Sequence, residues 1–230
     1  MKSLVPGCVA EFLGTFALTF FGCAAIMLRA PEVGGHGSLI TVALAHALIL
    51  YVFVGGCMYI SGAQFNPAVS IGAVIAGKQG VGRAAAFIVC QLAAAAAAVA
   101  LLGVLLPREV FDHEPAQHGA TIGHMTRAGL VWQVIGIEAI MTFCLMFVIL
   151  TTTVDERAHK MGGLPIGLTV GACILAFGPL TGSSMNPARS FGPALVGDHW
   201  TMFHAYIIGP VAGAVVAALV WKALFAKPTT

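Results

Sequence analysis

Asn66-Pro67-Ala68 and Asn186-Pro187-Ala188 repeat one short pattern at two distant places in the chain. Asparagine suits a helix N-cap, because its side-chain oxygen accepts from amides that the first helical turn leaves unpaired. Proline suits the next position, because it has no amide hydrogen to leave unsatisfied. Each triplet therefore predicts the start of a helix. A helix start carries roughly half a positive charge from its aligned peptide dipoles. The asparagine amide, held by its cap, can still donate to a passing oxygen atom. One such triplet is an ordinary cap. Two that face one point make a site that accepts neutral hydrogen-bonding molecules and repels cations.

Three ionisable residues stand close to this pattern in sequence or repeat it. Arg189 directly follows the second triplet. Glu11 and Glu138 are the only carboxylates inside long apolar runs. A charge at membrane depth is costly and normally faces a cavity or a partner. A buried carboxylate must likewise find donors. Two acids without a ladder of further ionisable groups make a poor proton relay, so a structural role is expected for both.

The elements that must hold these residues follow from composition. Of 230 residues, 59% are hydrophobic and 9% are charged, against about 25% charged in an ordinary soluble domain. The apolar residues form long runs, and a bilayer core needs about 20 apolar residues per helix. Six spans are predicted, at 6–28, 38–60, 82–106, 129–153, 163–181 and 201–225. Segments 66–77 and 186–196 are apolar but only half as long, as re-entrant helices are. The run of alanines at 93–98 suits close helix packing.

The chain repeats internally. Glu11-Phe-Leu-Gly-Thr15-Phe16 precedes the first triplet, and Glu138-Ala-Ile-Met-Thr142-Phe143 precedes the second. Each half, about 6–106 and 129–225, holds three spans and one half-length segment. An odd number of spans per half turns the halves opposite ways across the membrane, and such inverted repeats put the transport path at their interface. The expected architecture is an all-α membrane protein, one channel domain over 1–230, with an inverted 3+3 repeat. Lys2, Lys78, Arg83, Arg157, Lys160, Lys222 and Lys227 fall on the side of the termini, and Arg29, Arg108 and Arg127 on the other. The positive-inside rule then places both termini in the cytoplasm.

These motifs resemble the aquaporin, or major intrinsic protein, family over nearly the whole chain. The resemblance implies a passive pore for water, built as a homotetramer with one pore per subunit. Aquaporin-type pores are a recognised case of ion exclusion by half-helix dipoles and an arginine. It places Arg189 at the outer constriction with His46, Ile174 and Ser183. Histidine on the second span with isoleucine on the fifth is similar to the plant vacuolar-membrane branch, some members of which pass ammonia. The stricter water-specific pattern has phenylalanine and histidine there. The resemblance also implies that Glu11 and Glu138 tie down the loop before the half-helix of their own half. His113, His118 and His124 lie in the long loop after the third span. His124 is expected either to join the constriction or to remain a solvated loop residue. Ser190 after the arginine sides with water channels rather than glycerol-conducting relatives, which have aspartate there. Tyr206-Ile207 departs from the aromatic-Trp pair of water channels.

Other functions fit less well. A formal charge of +2 without a basic stripe gives no nucleic-acid surface. Cys8, Cys23, Cys57, Cys90, Cys144 and Cys173 all fall in apolar runs without CxxC spacing, as small buried hydrophobes do. No HExxH or nucleophile–base pair points to an enzyme, and no metal or cofactor is implied. An ion-coupled transporter would need more acids facing the path, and Arg189 opposes cations. The permeants expected are water, with ammonia or small polyols as the alternative. The expected location is the inner (plasma) membrane of a bacterium, as a multi-pass protein in the lipid bilayer. The first apolar run carries Glu11 and does not read as a cleaved signal. The loop at 155–160 offers no obvious gate.

Overall fold

The computed structural model describes residues 3–29, 37–114, 116–155 and 161–226. Lys2, Arg157, Lys160, Lys227 and most of the loop at 155–160 lie outside them. Six helices are long and apolar enough to cross a membrane. They are α1 (Leu4–Met27), α2 (Leu39–Cys57), α4 (Val81–Leu105), α7 (Val131–Ile149), α8 (Leu164–Thr181) and α10 (Ala205–Leu224). Two half-length helices, α3 (Pro67–Ile75) and α9 (Pro187–Gly197), begin at the prolines of the triplets. Two single turns, α5 (Arg108–Phe111) and α6 (His124–Arg127), flank a short turn over Gln117–Gly119 in the long loop. No strand occurs among the described residues.

Local chemistry explains where the elements stop. Ser38 caps α2 by accepting from the Thr41 amide. α8 ends at Gly182, whose φ of +86° closes the helix in the left-handed region, where glycine meets no Cβ penalty. The predicted span 129–153 instead widens into a π-turn over Leu150–Val154. Thr151, Thr152 and Thr153 there donate their hydroxyls back to the carbonyls of Phe147, Val148 and Ile149. Such back-bonding loosens and bends a helix.

The two halves pack alike. α1 lies against α2 and α4, as α7 lies against α8 and α10. The half-helices then cross over: α9 packs on α4 and α3 on α10, so each half holds the short helix of the other. Backbones approach closely at these crossings. A Cβ on Gly192 of α9 would lie 2.5 Å from the Ala95 carbonyl oxygen of α4. The buried core between the helices is apolar, with Phe65, Met141, Met185 and Val54 at its centre. Many large apolar side chains point outward, among them Leu48, Val89, Trp132, Ile140 and Leu219. An apolar exterior is what a bundle presents to lipid or to neighbouring subunits.

Candidate functional site

The sequence folds into the site through two buried carboxylates. Both Glu11 and Glu138 are fully buried. Glu11 accepts from the Gln64 and Phe65 amides at 2.9 and 2.6 Å. Glu138 accepts from the Ser184 and Met185 amides at 3.0 and 2.7 Å. A side chain completes each set: Gln91 donates to Glu11, and Thr181 donates to Glu138. Ser61 and Thr181 also accept, respectively, from the Ala63 and Ser183 amides. These bonds hold backbone that most residues avoid. Ala63, Phe65, Ser183 and Met185 all have φ between +46° and +53°. Each such residue costs of order 1 kcal/mol and persists only where its surroundings over-determine it.

That strained backbone delivers the two asparagines. Asn66 caps α3 by accepting from the Ala68 amide at 2.9 Å. Asn186 caps α9 by accepting from the Ala188 and Arg189 amides at 3.0 and 3.3 Å. Each then reaches across the pseudo-symmetry. Asn66 Nδ2 donates to the Met185 carbonyl at 2.7 Å, and Asn186 Nδ2 donates to the Phe65 carbonyl at 2.8 Å. Each amide nitrogen carries two hydrogens, and each spends one on this bond. Both asparagines line one narrow cavity of about 30 Å³. Pro67, Ala68, Pro187 and Ala188 are buried behind them in the first turns of the half-helices.

The narrow cavity lies between two wider ones. A cavity of about 870 Å³ shares Gln64, Val69 and Ile149 with it and is also lined by Ser3, Lys78 and Arg83. A cavity of about 260 Å³ lies beside Arg29, Arg127, Val42 and Ile174. The first faces the ends carrying Ser3, Lys78 and Arg83, and the second faces the opposite ends. Lys78 and Arg83 thus fall on one side and Arg29 and Arg127 on the other. Gln64 on the wider side is itself tethered, pairing with Gln79 at 2.6 Å and accepting from Ser70 at 2.6 Å.

Arg189 and His46 close the narrow cavity toward the 260 Å³ side. Arg189 is 3% exposed and His46 6%, and both line the narrow cavity. His46 Nδ1 donates to the Val42 carbonyl at 2.8 Å. Its Nε2 is then the acceptor for Arg189 Nε at 3.3 Å, which fixes a neutral tautomer. Arg189 Nη1 donates to the Gly119 carbonyl at 2.9 Å. No partner for Arg189 Nη2 occurs among the described residues, so it remains available to a solute.

Of the expected constriction residues, His46, Ser183 and Arg189 meet at the narrow cavity. Ser183 Oγ donates to the Cys173 carbonyl at 3.0 Å. Ile174 is buried and lines the wider mouth instead. His124 does not reach the path: it is exposed at the start of α6 and lines neither cavity. The loop's contribution to Arg189 comes from the Gly119 carbonyl. A backbone acceptor has no residue-type signature, so sequence could not single it out. Thr181 was legible in principle, as the counterpart of Ser61 in the repeat. Tyr206 is buried at the base of this region and donates to the Thr181 carbonyl at 2.6 Å. All six cysteines are free thiols, and no three His, Cys, Asp or Glu side chains among the described residues converge as metal ligands.

Comparison with known proteins gives the family and the fold. The model of the family described as "Major intrinsic protein" matches residues 2–221. Aquaporin TIP4-4 of Zea mays is 39% identical over 229 residues, covering 95% of this chain and 88% of its own length. Aquaporin AqpM of Methanothermobacter thermautotrophicus is 38% identical, covering 97% of this chain and 99% of its own. The X-ray structure of the aquaglyceroporin from Plasmodium falciparum superposes with a TM-score of 0.82 at 24% identity, covering 96% of this chain and 97% of that one. That last likeness establishes the fold alone. With paired half-helices meeting at a buried arginine and relatives this similar over this length, the chain belongs to the major intrinsic protein family, the aquaporin-type transmembrane channels.

Proposed function

We propose that this channel conducts water in single file and excludes protons and metal ions. The observation that carries the reading is the narrow cavity of about 30 Å³ between two helix N-termini, with Arg189 at one end. At roughly 10–15 Å³ of such free volume per water, the space holds about two or three molecules, a short file. Asn66 and Asn186 each offer an amide hydrogen there, and Arg189 offers more. A cation meets two positive dipole ends and a guanidinium. Glu11 and Glu138 offer a cation no ligand there, because neither lines the narrow cavity and both face the loop amides instead.

Ile174 favours ammonia as a second permeant. It gives the mouth beside Arg29 and Arg127 an apolar wall where a histidine would give a donor. Small polyols are less well served, because Ser190 is engaged by Thr121 and Ser184 and the narrow cavity is small. In the same reading the chain is a single channel domain that assembles as a homotetramer in a cell membrane with both termini in the cytoplasm. The exposed apolar helix faces and the distribution of lysine and arginine support it.

Stopped-flow light scattering on proteoliposomes tests this under water, ammonia and glycerol gradients. The wild type passes water and ammonia faster than empty liposomes and carries no ion current. Ile174→His keeps water and loses ammonia. Correctly folded protein that passes water no faster than empty liposomes would overturn the reading.

A further inference from the structure

The long loop carries a side-chain chain that the pore itself does not use. Asp112 Oδ1 lies 3.2 Å from His118 Nε2, and His118 Nδ1 lies 2.8 Å from His199 Nε2. The two rings are 5.0 Å apart between centroids, and Phe111 packs edge-on against His118. His118 sits in the turn at φ +55°, directly before Gly119. Gly119 is wedged against α1, where a Cβ would lie 2.6 Å from Cys23. Its carbonyl accepts from Arg189 Nη1. On the other side, a Cβ on Gly197 at the end of α9 would lie 2.5 Å from His118 Nδ1. The turn that holds Arg189 is thus pinned to the end of α9 through the His118–His199 contact.

We propose that His118 and His199 are positioning residues for Arg189, acting through the Gly119 carbonyl, and that their contact makes this mouth of the channel acid-sensitive. This rests on the water-channel reading above.

The hydrogen count sets the sign. The Asp112 carboxylate only accepts, so His118 Nε2 donates to it. In a neutral ring, His118 Nδ1 then accepts from His199 Nε2. One added proton is accommodated when His118 carries both hydrogens and His199 Nε2 becomes the acceptor. A second proton sets N–H against N–H, and the rings must part.

The other groups around the pair act on it unequally. Arg108 lies 3.6 Å from Asp112 Oδ2 and competes for that carboxylate. Arg127 donates to Gln117, Arg189 and the Cys23 thiol both reach the Gly119 carbonyl, and the His113 carbonyl caps the turn. Burial and the neighbouring His118 hold His199 below the usual histidine range, while Glu114 and Asp198 pull it back up. A depressed histidine supports the contact fully above its ordinary value of 6.5 and loses that support as pH falls through the lower value of the paired ring. Once the rings part, Gly119 no longer draws the guanidinium aside, and Arg189 swings over the path.

The test is osmotic water permeability of proteoliposomes against pH. The wild type keeps its permeability down to about pH 6.5 and falls by at least about threefold between there and about pH 4.5. His199→Gln keeps a donor for His118 but does not titrate, and gives a flat profile. His199→Lys carries a fixed charge and is low throughout. Nitrogen-15 histidine NMR on the same protein reads the contact itself, which is present at the higher pH and lost at the lower. A wild type that conducts with no pH response, or a His199→Gln profile that follows the wild type, overturns the inference and leaves the water channel standing. A wild type that conducts at neither pH overturns the channel reading. In that case NMR decides the inference: loss of the contact on acidification supports it, and a contact intact at both pH values overturns it.

Discussion

Asn186 Nδ2 donates to the Phe65 carbonyl at 2.8 Å across the interface between the two halves of the chain. The bond orients the amide and satisfies a buried carbonyl in strained backbone. Asn186→Ala removes it together with the α9 cap. A lost cap costs about 1 kcal/mol, and an unsatisfied buried carbonyl costs about 1–3 kcal/mol. The expected outcome is a lower melting temperature in detergent by circular dichroism, with Asn66→Ala matching it. A variant as stable as the wild type would remove the structural role of the crossed pair.

Glu138→Ala strips three donors at once, the Ser184 and Met185 amides and the Thr181 hydroxyl. Hydrogen bonds to a charged group contribute about 1.5–3 kcal/mol each, so the loss is expected to exceed about 3 kcal/mol. Glu138→Gln keeps one acceptor oxygen and costs less. Thermal unfolding of the three proteins should rank them in that order. Equal melting points for Gln and Ala would show that the carboxylate pair of oxygens is not what anchors residues 182–185.

Gly22 supports His46 by its lack of a side chain. A Cβ there would lie 2.3 Å from His46 Nε2, the atom that accepts from Arg189. Overpacking of this kind forces side chains off their positions. Gly22→Ala should lower osmotic water permeability by more than about twofold, while Gly55→Ala, with nothing within 4 Å of its Cβ, serves as the silent control. Equal permeability of Gly22→Ala and wild type would detach His46 placement from conduction.

Arg189→Val removes the one buried arginine or lysine that lines the narrow cavity among the described residues. Water flux is expected to persist, because both asparagines keep their donors. Cation or proton leak should rise to a measurable current, since the two helix dipoles alone, each roughly half a charge, must then exclude the ion. Planar-bilayer recording checks this, and a variant as ion-tight as the wild type would assign exclusion to the half-helices alone.

The elements were legible because their signals are local. Hydropathy set all six spans to within a few residues at most ends. The Asn-Pro pairs set the starts of α3 and α9, since capping depends on adjacent residues alone. Where side chains competed with the helix, as in the threonines after Ile149, the expected regular helix gave way to a π-turn.

The site divided along the same line. Sequence by itself determined the membrane class, the repeat, and the residues that carry charge and amide donors at its centre. Only the tertiary structure decided what holds them: Gln91 and Thr181 on the two glutamates, the exchange of asparagine bonds between halves, and the Gly119 carbonyl in place of His124 beside Arg189. These partners come from distant parts of the chain, and several are backbone atoms. Every residue has a carbonyl and nearly every residue an amide, so residue type carries no record of which one the fold brings into reach.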